Sequence, residues 1–181
     1  MTGVALAHST GATFIRGNFA GAYITDVGFT DTDAAEAARL RSALGADSIR
    51  FIHNLNPSMG NSLLGKTAVE EARGALVHCL VDGFTVPATS STQASPQQFF
   101  RELRRCVPNA PLIVGRGATH PNISQLLAIA DGVIVVSCFR REGNYLEAIE
   151  VERVREFMSL VRHLRSSDLR DQGERMAGFP A

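Results

Sequence analysis

Short β-branched bursts recur along this chain at intervals of roughly 30 to 40 residues, and each gives way to a longer segment with apolar residues at helical spacing. The bursts are "TFIRGNF" (13–19), "SIRFIHNL" (48–55), "DGFTVPA" (82–88), "PLIVGRG" (111–117) and "DGVIVVSCF" (131–139). A segment of helical character follows each of the five. The first is "DTDAAEAARLRSALG" (31–45), with Asp31 and Asp33 at its start and Gly45 past its end; the second covers 67–80, where Thr67 and Glu70 form a capping box. A third opens at Ser95 and Pro96 and closes before Pro108, a fourth covers 120–130, and a fifth runs from about 147 to 164 with Val151, Val154, Met158 and Val161 on one face. Strands that alternate with helices bury both faces in a parallel sheet, so the rhythm predicts α/β architecture built from repeated βα units. Five units suit an open doubly wound sheet. A (β/α)8 barrel needs about 250 residues, and the chain opens with "GVALAHSTGATFIR", which reads as the end of a helix running into a strand. Residues 1–165 are expected to form one partial barrel-like domain, and 166–181, where the period is lost, a flexible tail.

Composition narrows the function. Lysine and arginine number 18 and aspartate and glutamate 18, so no overall field draws the chain to nucleic acid or to an anionic membrane. No apolar run reaches the length that spans a bilayer, and the start shows no cationic stretch ahead of a long apolar one. Cys79, Cys106 and Cys138 are odd in number and widely spaced in apolar surroundings, which suits reduced thiols and an intracellular, cytoplasmic or organellar protein. No metal-ligand cluster, Walker loop or nucleophile elbow is present, and Gly115-x-Gly117 lacks the third glycine of a dinucleotide fingerprint, so no metal and no cofactor is expected.

The ordered set "ATFIRGNF…GAYITDVG", "IVGRGAT…N", "ADGVIVVS" and "ERVREFM" resembles the BtpA/SgcQ family, named for a photosystem I biogenesis protein and a sugar-operon relative. The resemblance runs from about residue 5 to 165 and implies parallel (β/α) units like strands four to eight of a TIM barrel, incomplete or open. It implies a small phosphorylated or sugar-like ligand at the C-terminal ends of the strands, where barrel phosphate sites use backbone N–H groups and a helix N-terminus. Gly115 and Gly117 would let backbone approach that ligand, Thr119 would cap the next helix, and Ser137 would donate a hydroxyl. A plain strand-to-helix turn accounts for the glycines equally well, and Arg116 either meets an anion or faces solvent.

Arg16, Asn18, Gly21, Thr25, Asp26 and Gly28 match the family's ligand-facing pattern, with Asn18 for ligand binding and Asp26 as acid or base; a turn cap and backbone satisfaction are the alternatives. The departures are as informative. An Asp-x-His-x-Lys-His run is replaced by "HNLNPSM" (53–59), leaving His53 as a second acid–base candidate or simply a hydrogen-bonded histidine. Pro87-Ala88 replaces a Thr-Gly pair, and Val136 stands at a glycine position. Three functions stay open: a ligand-binding barrel protein with or without catalysis, a non-catalytic assembly or stability factor, and a truncated product with no independent function. The first strand would form an open sheet edge, through which a homo-oligomer is expected.

Overall fold

The computed structural model describes residues 2–25, 28–55, 60–88 and 95–177. Helix α1 (Thr2–Thr10) leads into strand β1 (Phe14–Gly17), as the opening residues suggest. The other bursts become β4 (Arg50–Asn54), β6 (Gly83–Pro87), β7 (Leu112–Arg116) and β8 (Gly132–Val133). These five strands form one sheet in the order β1-β4-β6-β7-β8, and every pairing in it is parallel.

All the helical cover lies on one side. Side chains alternate across a strand, and one parity, Phe51, Phe84, Val86, Leu112 and Val114, is buried in a single cluster with Ala37 of α2 (Ala34–Ala43), Ala72 and Ala75 of α3 (Ala68–His78), Phe100 and Leu103 of α4 (Pro96–Cys106) and Leu126 of α5 (Ile123–Leu127). The last helix, α6 (Val151–Ala177), packs Phe157 and Val161 with Ile123, and Val133 and Val135 lie against them. A doubly wound sheet carries helices on both faces, whereas a barrel carries them outside only. The sheet therefore has the architecture of one flank of a (β/α) barrel. Its curvature agrees. Strands β1 and β7 are three neighbours apart, roughly 14 Å in a flat sheet at about 4.8 Å each, yet the Arg16 guanidinium lies 3.2 Å from where a Cβ on Gly115 would sit.

Local signals explain the helix starts. Thr67 and Glu70 cap α3 reciprocally, Ser95 accepts from the Gln98 N–H ahead of Pro96, and Asp33 accepts from the Glu36 N–H. Two aspartates repeat one device at the strand starts. Asp82 donates its N–H to the Phe51 carbonyl while its carboxylate accepts the Phe51 N–H at 2.8 Å, and Asp131 does the same to Leu112, with 2.7 Å to the N–H. Each Asp-Gly step thus clamps the start of a strand to the one before it.

The structure corrects several sequence expectations. The helix predicted over 120–130 is only Ile123–Leu127. The predicted strand 131–139 pairs only at Gly132 and Val133, then breaks into 3-10 turns at Ser137–Phe139 and Arg141–Gly143; with a ladder partner on the β7 side alone among the described residues, it has little to extend it. Helix α6 starts at Val151, whose side chain is exposed, and is buried instead along Phe157 and Val161. It runs on to Ala177, over a stretch with good helix formers such as Arg, Leu, Gln, Glu and Met. A second, three-stranded antiparallel sheet was not foreseen: β2 (Ala22–Thr25), β3 (Gly28–Asp31) and β5 (Gly60–Ser62), in the order β3-β2-β5. It grows from the loops that follow β1 and β4.

The Asp131 clamp makes a pH-dependent prediction. Burial pushes its carboxyl up, but the Leu112 N–H and the Arg104 guanidinium outweigh that and hold it below the ordinary aspartate range. A carboxylate depressed on folding contributes stability above its unfolded pKa, about 3.9, and loses it as pH falls through the folded value. Asp131→Asn is expected to cost about 1 kcal/mol at pH 7, small because the side chain is half exposed. The gap to the wild type should close as pH falls below about 3.9, which urea unfolding across pH 3 to 7 would measure.

Candidate functional site

The face of the sheet opposite the helices carries the other parity of side chains: Phe14 and Arg16 on β1, Ile52 and Asn54 on β4, Thr85 on β6, Ile113 and Gly115 on β7. Its polar members gather toward the C-terminal ends of the strands. Arg16 Nε donates to Asn54 Oδ1 at 2.8 Å and to Thr85 Oγ1 at 3.3 Å; the Thr85 hydroxyl donates to Asn54 Oδ1 at 2.6 Å; Asn54 Nδ2 donates to Asn18 Oδ1 at 3.0 Å. Thr85 is buried beneath this network, and Asn18 and Asn54 are half-buried at its rim. Of the predicted site residues, Asn18 and Gly115 lie in this cluster. Arg16 was noted in the sequence pattern but not singled out, and Asn54 and Thr85 were missed. The signal was available: period two along each strand puts Arg16, Asn54 and Thr85 on one face, the face a barrel turns inward.

The two glycines of "GRG" are explained by protein contacts. A Cβ on Gly115 would sit 3.0 Å from the Thr85 Cβ and 3.2 Å from an Arg16 terminal nitrogen, and one on Gly117, at φ +85°, would sit 3.0 Å from the Ala88 Cβ. Both contacts are tight enough that a side chain would need its neighbours to give by a few tenths of an ångström, and at Gly117 the positive φ adds strain. Thr119 does not cap the following helix. Asn122 takes that role in reverse, its Oδ1 accepting the Thr119 N–H at 2.8 Å and its Nδ2 donating to the Gly117 carbonyl at 2.9 Å. The Thr119 N–H is therefore occupied, and the helix behind it spans only one turn or so. Ser137 is half-buried in a 3-10 turn. Among the described residues no hydrogen bond links Gly117, Thr119 or Ser137 to the Arg16 cluster. Asp26 lies outside the described residues.

His53 points the other way, into the helical side, and is fully buried. Its Nδ1 accepts the Phe19 N–H at 3.1 Å, which assigns the proton to Nε2, and Nε2 donates to Glu71 Oε1 at 2.9 Å. The Tyr23 hydroxyl donates to the same carboxylate oxygen at 2.6 Å. Burial, and then the adjacent Glu71 carboxylate, raise the Tyr23 phenol well above its ordinary value. This buried triad ties β4, α3 and the small sheet together, and both histidine nitrogens are committed to it. Cys79, Cys106 and Cys138 are free and half-buried, and burial pushes the Cys138 thiol up, partly offset by Arg153. A groove of about 700 Å³, lined by Phe100, Arg101, Arg105 and Ile129 among others, lies between α4 and α5 on the helical side, away from the cluster.

Fold and site together define a (β/α) barrel-type protein with a polar cluster at the C-terminal ends of its strands. The chain belongs to the BtpA family, whose model matches residues 1–163. It is 28% identical over 160 residues to the sgc region protein SgcQ of Escherichia coli K12, covering 88% of this chain and 60% of that protein. It is 29% identical over 156 residues to the photosystem I biogenesis protein BtpA of Synechocystis, covering 86% of this chain and 54% of that one. An uncharacterized Thermococcus kodakarensis protein, TK2179, is 27% identical over 170 residues, covering 91% of this chain and 62% of its own length. The chain thus spans between about half and three-fifths of these relatives. A solved structure described as native KDPGal superposes with a TM-score of 0.48 at 16% identity, covering 86% of this chain and 65% of the other. Among the described residues no helix is long and apolar enough to cross a membrane.

The buried triad sets a stability test. Glu71→Leu strands the buried His53 Nε2–H without its acceptor, leaving the Tyr23 hydroxyl only the Ala20 carbonyl, and is expected to cost about 3 kcal/mol, while Tyr23→Phe, which keeps the acceptor and its histidine, costs about 1 kcal/mol. Denaturant midpoints of the two variants, compared with the wild type, check that order.

Proposed function

We propose that this protein binds a small phosphorylated or sugar-like ligand at the C-terminal ends of its parallel strands. The observation that carries this reading is the hydrogen-bonded cluster of Arg16, Asn18, Asn54 and Thr85, drawn from three strands of the inner face and open to solvent at Arg16. In barrels this end of the sheet is where ligands are met. Asn18 contacts the ligand, Gly115 is the floor that lets Arg16 lie flat, and Gly117, Thr119 and Ser137 shape the adjoining loops. Acid–base chemistry, where present, falls to Asp26, with His53 the weaker candidate because its nitrogens serve the Glu71 triad. Residence inside the cell belongs to the same reading.

A second reading has one observation in its favour. Ile24 and Phe29 are a cross-strand pair on the small sheet, 47% and 63% exposed, with Leu63 nearby in sequence to β5 and 54% exposed. Apolar surface of that kind suits a protein partner, as for an assembly factor of the sort the Synechocystis relative's name denotes. The edge of β1 left unpaired among the described residues would serve a homo-oligomer.

The first reading is tested by thermal shift against phosphorylated and neutral sugars. A ligand that raises the melting temperature of the wild type should bind about tenfold more weakly to Asn18→Ala, by the loss of one hydrogen bond to the ligand. An unchanged shift in that variant, or no shift with any compound, would remove it; a response confined to Ile24→Asp in a size-exclusion profile would favour the partner-binding reading.

A further inference from the structure

We infer that Arg16 is an oxyanion receptor, and that the cluster around it exists to present N–H donors to a carboxylate or phosphate group of a small hydroxylated molecule; this rests on the ligand-binding reading above. The argument starts from the one member of the network that can only donate. An arginine guanidinium has five N–H groups and no acceptor, so the atom of Asn54 facing Arg16 Nε must be its oxygen, at 2.8 Å. That choice fixes the rest. The Asn54 amide nitrogen then faces Asn18, at 3.0 Å, so Asn18 meets it with Oδ1 and turns its own NH2 outward. The Thr85 hydroxyl, receiving from Arg16 Nε at 3.3 Å, spends its proton on Asn54 Oδ1 at 2.6 Å. One donor-only residue thereby polarises the whole chain of hydrogen bonds, and the nitrogens left facing the open side are the two terminal guanidinium groups and the Asn18 amide.

Charge points the same way. Arg41 and Arg50 share Asp82, and Arg104 is paired with Asp131, but among the described residues Arg16 is in no ion pair. The inner-face neighbours named above are all uncharged. With Nε occupied by neutral oxygens, the side-on mode is closed, and the end-on pair of terminal nitrogens remains for a bidentate contact with two oxygens of one anion. Gly115 leaves room for this arrangement, since a Cβ there would press on Thr85 and the Arg16 guanidinium at 3.0 to 3.4 Å. Phosphate binding by the loop after β7 is a different matter: the Thr119 N–H is already taken by Asn122. The anchor inferred for the anion is the side chain on β1.

The test uses three probes on one carbon skeleton: glycerol 3-phosphate, glycerate and glycerol, titrated calorimetrically into the full chain at constant ionic strength. The wild type is expected to bind one or both anions and to bind glycerol far more weakly; which anion is preferred separates a phosphate site from a carboxylate site. Arg16→Gln should weaken anion binding about ten- to hundredfold, as expected for charge-assisted hydrogen bonds. Its melting temperature without ligand should be near that of the wild type, because Arg16 is exposed. Arg16→Lys, which keeps the charge and loses the fork, should fall between the two. Anion binding unchanged in Arg16→Gln overturns the inference, as does equal binding in Arg16→Lys for the bidentate contact. If glycerol binds as well as the anions and ignores Arg16→Gln, the anion receptor fails while ligand binding stands; if none of the three binds, both fail.

Discussion

A parallel sheet that receives all its helices on one face has to do something with the other. Packing Phe51, Phe84, Leu112 and Val114 against the helices satisfies one parity of each strand and fixes the register of the whole sheet, since a one-residue slip would send these side chains to the wrong side. The opposite parity must then consist of residues that are content on a concave, partly solvated surface. Arg16, Asn54 and Thr85 meet that demand by bonding to one another across strands. The network exists because the sheet curls: in a flat sheet the β1 arginine would not reach the β7 glycine. Site geometry and barrel curvature are in this sense one fact.

The loops after β1 and β4 face a different problem, which is how to hold a three-stranded antiparallel sheet that has little core of its own. The solution is polar and buried. Tyr23 and His53 converge on Glu71, with Phe19 stacked on Phe51 at 4.5 Å alongside and its N–H committed to the His53 ring. A buried carboxylate with two donors is costly to break and specific in direction, so it favours one arrangement of the loops over others that an apolar contact would also allow. Because the loop from Gly17 onward carries Asn18, the same triad determines where the rim of the polar cluster stands.

Much of the fold was legible in the sequence, and the reasons can be named. The strand and helix rhythm, the Thr67–Glu70 capping box and the Ser95-Pro96 start are local signals, and the structure has each of them. Helix cover on one face only was not local, and with it the choice between an open wound sheet and a barrel flank. The small antiparallel sheet escaped notice because β5 is three residues long and pairs with β2 from far along the chain. Within "GAYITDVG" Tyr23 is a core residue, which the family pattern did not indicate. For the site, residue type alone left His53 open as an acid–base candidate or a hydrogen-bonded histidine, and its parity puts it among Phe51, Phe84 and Val86, hydrogen-bonded at both nitrogens. Asn54, one position on, is the residue that faces the inner side.

Parity also makes sense of the positions where this chain departs from the family pattern it resembles. Pro87 falls where the β6–β7 register shifts, and Ala88, donating its N–H to the Arg116 carbonyl, brings its methyl up against Gly117. A larger residue at 88 would need room that the turn does not have, and a side chain at 117 would need a backbone conformation that favours glycine. These two positions have therefore adapted to each other as packing, and the turn after β7 is closed by protein atoms on one side and by the Asn122 amide on the other. Beside that turn the inner face holds a side-chain donor network centred on Arg16. The polar side chains of the strand ends are thus fixed by the sheet itself, where the backbone is least free to move.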